Sequence, residues 1–193
     1  VFPFYALVAS FYADGLPVRM ANDRYEQFQM GMKRHSIEMD VTIIGDKKTG
    51  KFDILKGTYN CNGGGRENLS VAVSHVAVRG AQSIYYFPKS DLTALAMATP
   101  AVEAGSMRGF GSLQSMAITE LMVDEIAHNL NIDPIELRRR NAILEGYPNT
   151  QGGVIAGDPR NVEMLNLAEK HPIWVEREKN KAEYEAKNPG KLY

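Results

Sequence analysis

The chain has 193 residues, 44% of them hydrophobic and 23% charged, enough apolar material for a buried core in one domain or slightly more. Its formal net charge is -1 with acidic and basic residues interspersed, which leaves no electrostatic footprint for nucleic acid or an anionic membrane. A single cysteine, Cys61, excludes an internal disulfide and a cysteine-ligated iron–sulfur site within these residues, and fits a reducing compartment.

Residues 1–11 are apolar, but no basic stretch or initiator methionine precedes them and Pro3 and Tyr5 interrupt them. They are too short to span a bilayer and read as a buried helix whose beginning lies upstream, not as a signal peptide. Asp14-Gly15 forms a turn and residues 17–21 a short buried strand. Asn22 or Asp23 caps a helical turn, with Glu26 as the reciprocal partner of Asp23. Ile37, Met39, Val41 and Ile43 alternate with polar residues, the period of a half-buried strand. The polar turn at 45–50 and Phe52-Asp53-Ile54-Leu55 complete a hairpin, which Asn62-Gly63-Gly64-Gly65 breaks.

Periodicity leaves residues 69–78 open between helix and buried strand; helix is favoured. Residues 85–88 and 92–97 read as two further strands. Residues 113–130 give the strongest helix, with Met116, Leu121, Ile126 and Leu130 near one face. Asp133 caps the next helix, Pro134 takes its first position and Glu136 completes the box. Arg138, Arg139 and Arg140 sit toward its C-terminal end, where cations suit the helix dipole and pair with carboxylates. Beyond the glycine loops at 152–158 come a short helix over 162–168 and a charged helix over 174–187.

Local structure leaves one stretch unexplained: Ala104-Gly105-Ser106-Met107-Arg108-Gly109-Phe110-Gly111. Its three glycines permit positive φ and close approach to a ligand, and the loop opens into a helix whose free N–H groups favour anions. Arg108 adds a planar fork of charged donors, and Phe110, between two glycines, is available to stack on a planar substrate. Spacing alone nevertheless favours a plain tight turn over a site. Residues 62–68 offer a second glycine run, an anion nest or, by preference, a flexible connector. The four histidines show no ligand spacing, so no protein-ligated metal is expected.

The order of the motifs tips the balance at this loop from turn to site. Arg108-Gly109-Phe110-Gly111, Gln114, Glu120, Asp124-Glu125-Ile126-Ala127, Asp133-Pro134, Glu136-Leu137-Arg138 and Asn141 resemble the molybdopterin-binding subunits of the xanthine dehydrogenase/aldehyde oxidase family. Pro17-Val18-Arg19, Arg34-His35, the return strand from Lys51 and Tyr86-Phe87-Pro88 are similar to upstream family motifs. The resemblance implies an α+β fold, mixed or antiparallel strands with packed helices. Residues 1–150 would form a segment of the molybdenum-cofactor-binding domain, and 151–193 its C-terminal loop and charged helix. It implies a hydroxylase that inserts water-derived oxygen into an aldehyde or N-heteroaromatic substrate, in the cytoplasm.

On this resemblance Arg108, Gly109, Gly111 and Gln114 contact molybdopterin, and Phe110 stacks on the small-molecule substrate. It places no catalytic residue in this segment: the general-base glutamate and further cofactor loops belong to other parts of the subunit, so these residues alone should be inactive. Iron–sulfur and FAD centres would reside on partner domains or subunits, a second molybdopterin domain would close the site, and neither nucleic acid nor membrane is an expected partner. Within the motifs, Leu113 replaces the usual proline and Ser106-Met107 the usual Ala-Phe or Ala-Tyr. His75-Val76 stand near the place where xanthine-oxidising members carry an arginine, which turns the expectation away from purines. A non-catalytic binding or assembly module on a degenerate copy of the scaffold is the alternative.

Overall fold

The computed structural model describes residues 2–191, which divide into two compact units, 1–33 and 34–193. In the first unit, α1 (Phe2–Tyr12) is followed by α2 (Arg24–Met30). The capping box forms as expected: Asp23 Oδ1 accepts from the Glu26 N–H (2.8 Å) and Glu26 Oε2 from the Asp23 N–H (2.9 Å). Two expectations fail here. The first helix is not buried, since Phe4, Leu7 and Phe11 are 73%, 65% and 79% exposed, and residues 17–21 form no strand, with Val18 and Met20 exposed. No helix among the described residues is long and apolar enough to cross a membrane.

The second unit is built on a mixed three-stranded sheet ordered β1-β2-β3. Strand β1 (Ser36–Gly45) alternates half-buried and exposed residues as its period of two requires, and pairs antiparallel with β2 (Phe52–Gly64) in the register Met39↔Tyr59 and Ile43↔Leu55. Asp46 closes their turn by accepting from the Lys48 and Thr49 N–H groups at 2.7 and 2.8 Å. Helix α3 (Ser70–Gly80) is the crossover that carries the chain to β3 (Lys89–Ala98), parallel to β2. Residues 70–78 are thus helical with Leu69 as the cap, whereas 85–88 make no strand: Tyr85 forms one isolated bridge with Ala142. The ring of Tyr85 lies in the core with Phe52 and Phe87, and there its hydroxyl finds a carboxylate in place of a strand partner.

Helices α4 (Ser112–Leu130) and α5 (Pro134–Asn141) complete the core with Leu55, Tyr59, Val123, Ala127 and Leu137. The face of α4 that packs inward is Ser115, Thr119, Val123 and Ala127, not the larger Met116 and Leu121, which are exposed. Small residues win because α3 lies close: a Cβ on Gly80 would sit 2.6 Å from the Ser112 Cβ. Thr119 satisfies its buried hydroxyl by donating to the Ala81 and Ser115 carbonyls.

Several motif residues bind these elements to one another. Glu120 accepts from Ser83 Oγ (2.7 Å), Tyr85 Oη (2.8 Å) and Arg138 Nη2 (2.9 Å), while Arg138 Nη1 reaches Asp124 at 2.8 Å. Asn141 is 4% exposed; its Oδ1 accepts from the Phe52 N–H, and its Nδ2 donates to the Gly50 and Leu137 carbonyls. Asp133 caps α5 through Ile135 N and Glu136 N, but Glu136 does not complete a box, because its carboxylate is taken by Arg139 and Arg140. Those two guanidiniums hold its carboxyl below the usual range, Arg140 contributing most. The C-terminal stretch carries α6 (Asn161–Glu169), α7 (Pro172–Val175) and α8 (Arg177–Lys187), so the expected single helix from 174 is interrupted at Glu176.

Candidate functional site

The loop leading into α4 is assembled by the second glycine run. Gly63 and Gly64 continue β2 instead of breaking it, and the Gly63 carbonyl accepts from the Ala104 N–H at 3.0 Å. A Cβ on Gly64 would lie 2.4 Å from the Val102 carbonyl oxygen, so only glycine lets the approach to the loop pass this close to the strand. Arg66 pairs with Glu103 at 3.0 Å and Asn68 Nδ2 donates to the Ala104 carbonyl. This run is therefore neither an anion nest nor a flexible connector; it is the wall against which the loop is laid.

The loop itself turns tightly. The Phe110 N–H donates to the Met107 carbonyl (2.8 Å), and the Ser112 N–H and hydroxyl both donate to the Gly109 carbonyl. Gly109, Phe110 and Gly111 take φ of +92°, +50° and +98° in succession. For phenylalanine such a backbone is strained by about 1–3 kcal/mol and persists only where its surroundings enforce it. Gly111 is the N-cap of α4; the Ser112 N–H is taken by the Gly109 carbonyl, and no side chain caps the next two N–H groups, those of Leu113 and Gln114, among the described residues.

Four of the five expected site residues meet at this turn, and Gln114 lies one helical turn further in. Arg108 is exposed, and its guanidinium makes no hydrogen bond or ion pair among the described residues. Phe110 is half-buried with no aromatic ring against it among the described residues. Gly109 is exposed and Gly111 buried against α3. Gln114 Nε2 donates to the His35 carbonyl at 3.0 Å. That contact sets the amide orientation and leaves Gln114 Oε1 buried with no hydrogen-bond partner. Among the described residues, residues 108–114 thus offer a buried acceptor with no partner, an unpaired guanidinium and two uncapped N–H groups, which suits a group that carries both N–H donors and anionic oxygen.

Three contributors to this geometry were not legible from spacing. Arg34 Nη1 donates to the Arg108 carbonyl at 2.7 Å, across 74 positions of sequence. His35, 3% exposed, shares a hydrogen bond of 2.8 Å with the Ser70 hydroxyl through Nε2. Burial lowers the His35 pKa, offset in part by the Gly105 backbone, which favours the neutral ring. The only sequence signal was the Arg34-His35 pair itself. The other three histidines are exposed, and no group of three His, Cys, Asp or Glu side chains able to hold a metal lies among the described residues.

Residues 2–142 match the family model for the molybdopterin cofactor-binding domain. Over 168 residues, 84% of the chain, it is 32% identical to the xanthine dehydrogenase molybdenum-binding subunit of Escherichia coli O157:H7. Over 143 residues, 72% of the chain, it is 32% identical to the aldehyde oxidoreductase of Megalodesulfovibrio gigas. The chain spans 22% and 15% of these two relatives' own lengths. Among solved structures, quinoline 2-oxidoreductase from Pseudomonas putida 86 superposes over 91% of this chain and 23% of its own, with TM-score 0.76 and 27% identity.

Proposed function

The chain belongs to the molybdopterin cofactor-binding domain family of xanthine dehydrogenase and aldehyde oxidoreductase relatives, and on that basis we propose that the turn at residues 108–111 is one wall of a molybdenum-cofactor site in a hydroxylase subunit. The observation that carries this reading is Gln114 Oε1, buried with no partner among the described residues, one helical turn past a turn whose Arg108 guanidinium is exposed and unpaired among them. When bound, the cofactor supplies the redox chemistry that hydroxylates an electron-poor carbon with oxygen from water. The residues of this chain bind and orient. Gln114 Oε1 accepts from an N–H donor, Arg108 and the N–H groups of Leu113 and Gln114 hold anionic oxygen, and Phe110 holds a planar substrate in line for reaction.

An aldehyde or an N-heteroaromatic compound is the substrate class we favour. His75, exposed on α3, stands near where a purine-binding arginine is expected, and the relatives include an aldehyde oxidoreductase and a quinoline 2-oxidoreductase. The remaining cofactor contacts, the general base, and the iron–sulfur and FAD centres are assigned to other parts of the subunit or its partners, so this chain alone would be inactive. Replacing Arg108 by Ala in the intact subunit tests the reading. Molybdenum content or turnover should fall about tenfold or more, the usual loss for a charge-assisted contact. Full metal content at an unchanged rate would remove Arg108 from the site and leave the non-catalytic binding or assembly module as the better reading.

A further inference from the structure

The Arg108 turn does not hold itself in place. Its internal hydrogen bonds close the turn locally, yet Gly109 is exposed and φ is positive at three consecutive positions, 109 to 111. Two neighbouring residues hold the turn and the start of α4 from the segment that enters β1, one through its side chain and one through its backbone. Arg34 Nη1 donates to the Arg108 carbonyl at 2.7 Å, and a Cβ built on Gly109 would lie 3.8 Å from the same nitrogen, so the guanidinium spans the start of the turn. Arg34 has no carboxylate partner among the described residues; this carbonyl is the acceptor that holds it. One position on, the His35 carbonyl accepts from Gln114 Nε2, and the His35 ring is fastened to Ser70 at the start of α3. Ser70 can stand there because residue 63 is glycine: a Cβ at that position would lie 2.6 Å from Ser70 Oγ. Arg34 therefore sets where the Arg108 backbone lies, and His35 sets which way the Gln114 amide points.

We propose that Arg34 and His35 are positioning residues for the cofactor wall, Arg34 locking the turn at residues 108–111 and His35 orienting Gln114 so that Oε1 faces the ligand. The function assigned to the pair rests on the cofactor-site reading above; the mechanical part does not. Arg34 carries the sharper test because it is only half-buried, so its loss need not unfold the chain.

Arg34→Met and Arg34→Lys are compared in the intact subunit by hydrogen–deuterium exchange of the peptide covering residues 104–113, by urea unfolding, by molybdenum content and by kcat and KM. Losing a charge-assisted hydrogen bond should speed exchange in that peptide about tenfold or more in Arg34→Met, with the unfolding midpoint unmoved and kcat/KM or molybdenum content lowered about tenfold. Arg34→Lys, which keeps one charged donor, should recover most of the protection. His35→Gln, which keeps a hydrogen-bonding group for Ser70, should exchange more slowly in the same peptide than His35→Ala. Unchanged exchange in Arg34→Met overturns the proposal. So does faster exchange with kcat, KM and molybdenum content all at wild-type values while Arg108→Ala impairs them. If Arg108→Ala is itself silent, the cofactor-site reading fails, and the exchange data alone still decide whether Arg34 locks the turn.

Discussion

Gly111 and Gly109 have nearly the same backbone angle, yet alanine should affect them very differently. Both have positive φ, +98° and +92°, so either substitution strains the backbone by about 1–2 kcal/mol. At Gly109 that is most of the cost, because the nearest atom to a new Cβ is the Leu113 Cβ at an ordinary 3.4 Å. At Gly111 the new Cβ would lie 2.5 Å from the Val73 carbonyl oxygen and 3.1 Å from the Ala77 Cβ. The first of these is helix backbone and cannot swing aside, so α4 would have to back away from α3, adding about 1–3 kcal/mol of overpacking strain. Gly111→Ala should therefore cost about 2–5 kcal/mol and Gly109→Ala about 1–2 kcal/mol. Urea unfolding measures the difference directly, since about 2 kcal/mol at a slope of about 2 kcal/mol per molar moves the midpoint by about 1 M. In the intact subunit, Gly111→Ala should also lower molybdenum content, because the N-terminus of α4 moves with the turn. Equal losses at the two positions would refute the close packing of α3 on α4 as the reason residue 111 is glycine.

Asn141→Ala should destabilise the chain by about 3 kcal/mol, because it leaves the Phe52 N–H and the Gly50 and Leu137 carbonyls short of a partner in a buried corner. A loss below about 1 kcal/mol in denaturant titration would mean that water or the backbone takes over those bonds. His35 gives a pH signature whose sign follows from its lowered pKa. The folded chain binds fewer protons there than the unfolded chain, so its contribution is complete above the usual histidine value of about 6.5 and is lost as pH falls below it toward the folded value. The unfolding midpoint of His35→Gln should fall less than that of wild type between pH 7 and about pH 5.5. Parallel curves would show that His35 does not report this equilibrium.

How much of this was legible in the sequence depends on the range of the interaction that decides it. The hairpin follows from the alternation at Ile37 to Ile43 and the turn at Asp46, both of which are local. The caps at Asp23 and Asp133 are likewise local, a side-chain oxygen within reach of N–H groups two or three residues on. The ordered motifs from Arg108 to Asn141 carried the family, since such a pattern is specific even where no single piece of it is. The same motifs did not distinguish roles: Glu120, Arg138 and Asn141 tie Tyr85, α4, α5 and the hairpin together, while Arg108 is exposed and Gln114 bonds the His35 carbonyl.

Where periodicity misled, a distant neighbour had the last word. The inward face of α4 is Ser115, Thr119, Val123 and Ala127, and at its start α3 lies so close that a Cβ on Gly80 would meet Ser112 and Ser115. Residues 85–88 have strand-like composition, but the Glu120 carboxylate and the aromatic core hold Tyr85 away from the sheet. The hairpin, the helices from 112 to 141, the family and the place of the loop could all be read along the chain, since each depends on neighbours within a few positions or on an ordered motif. What holds that loop could not: the bond from Arg34 to the Arg108 carbonyl joins residues 74 apart, and no linear pattern contains a contact that exists only after the sheet and α4 have met.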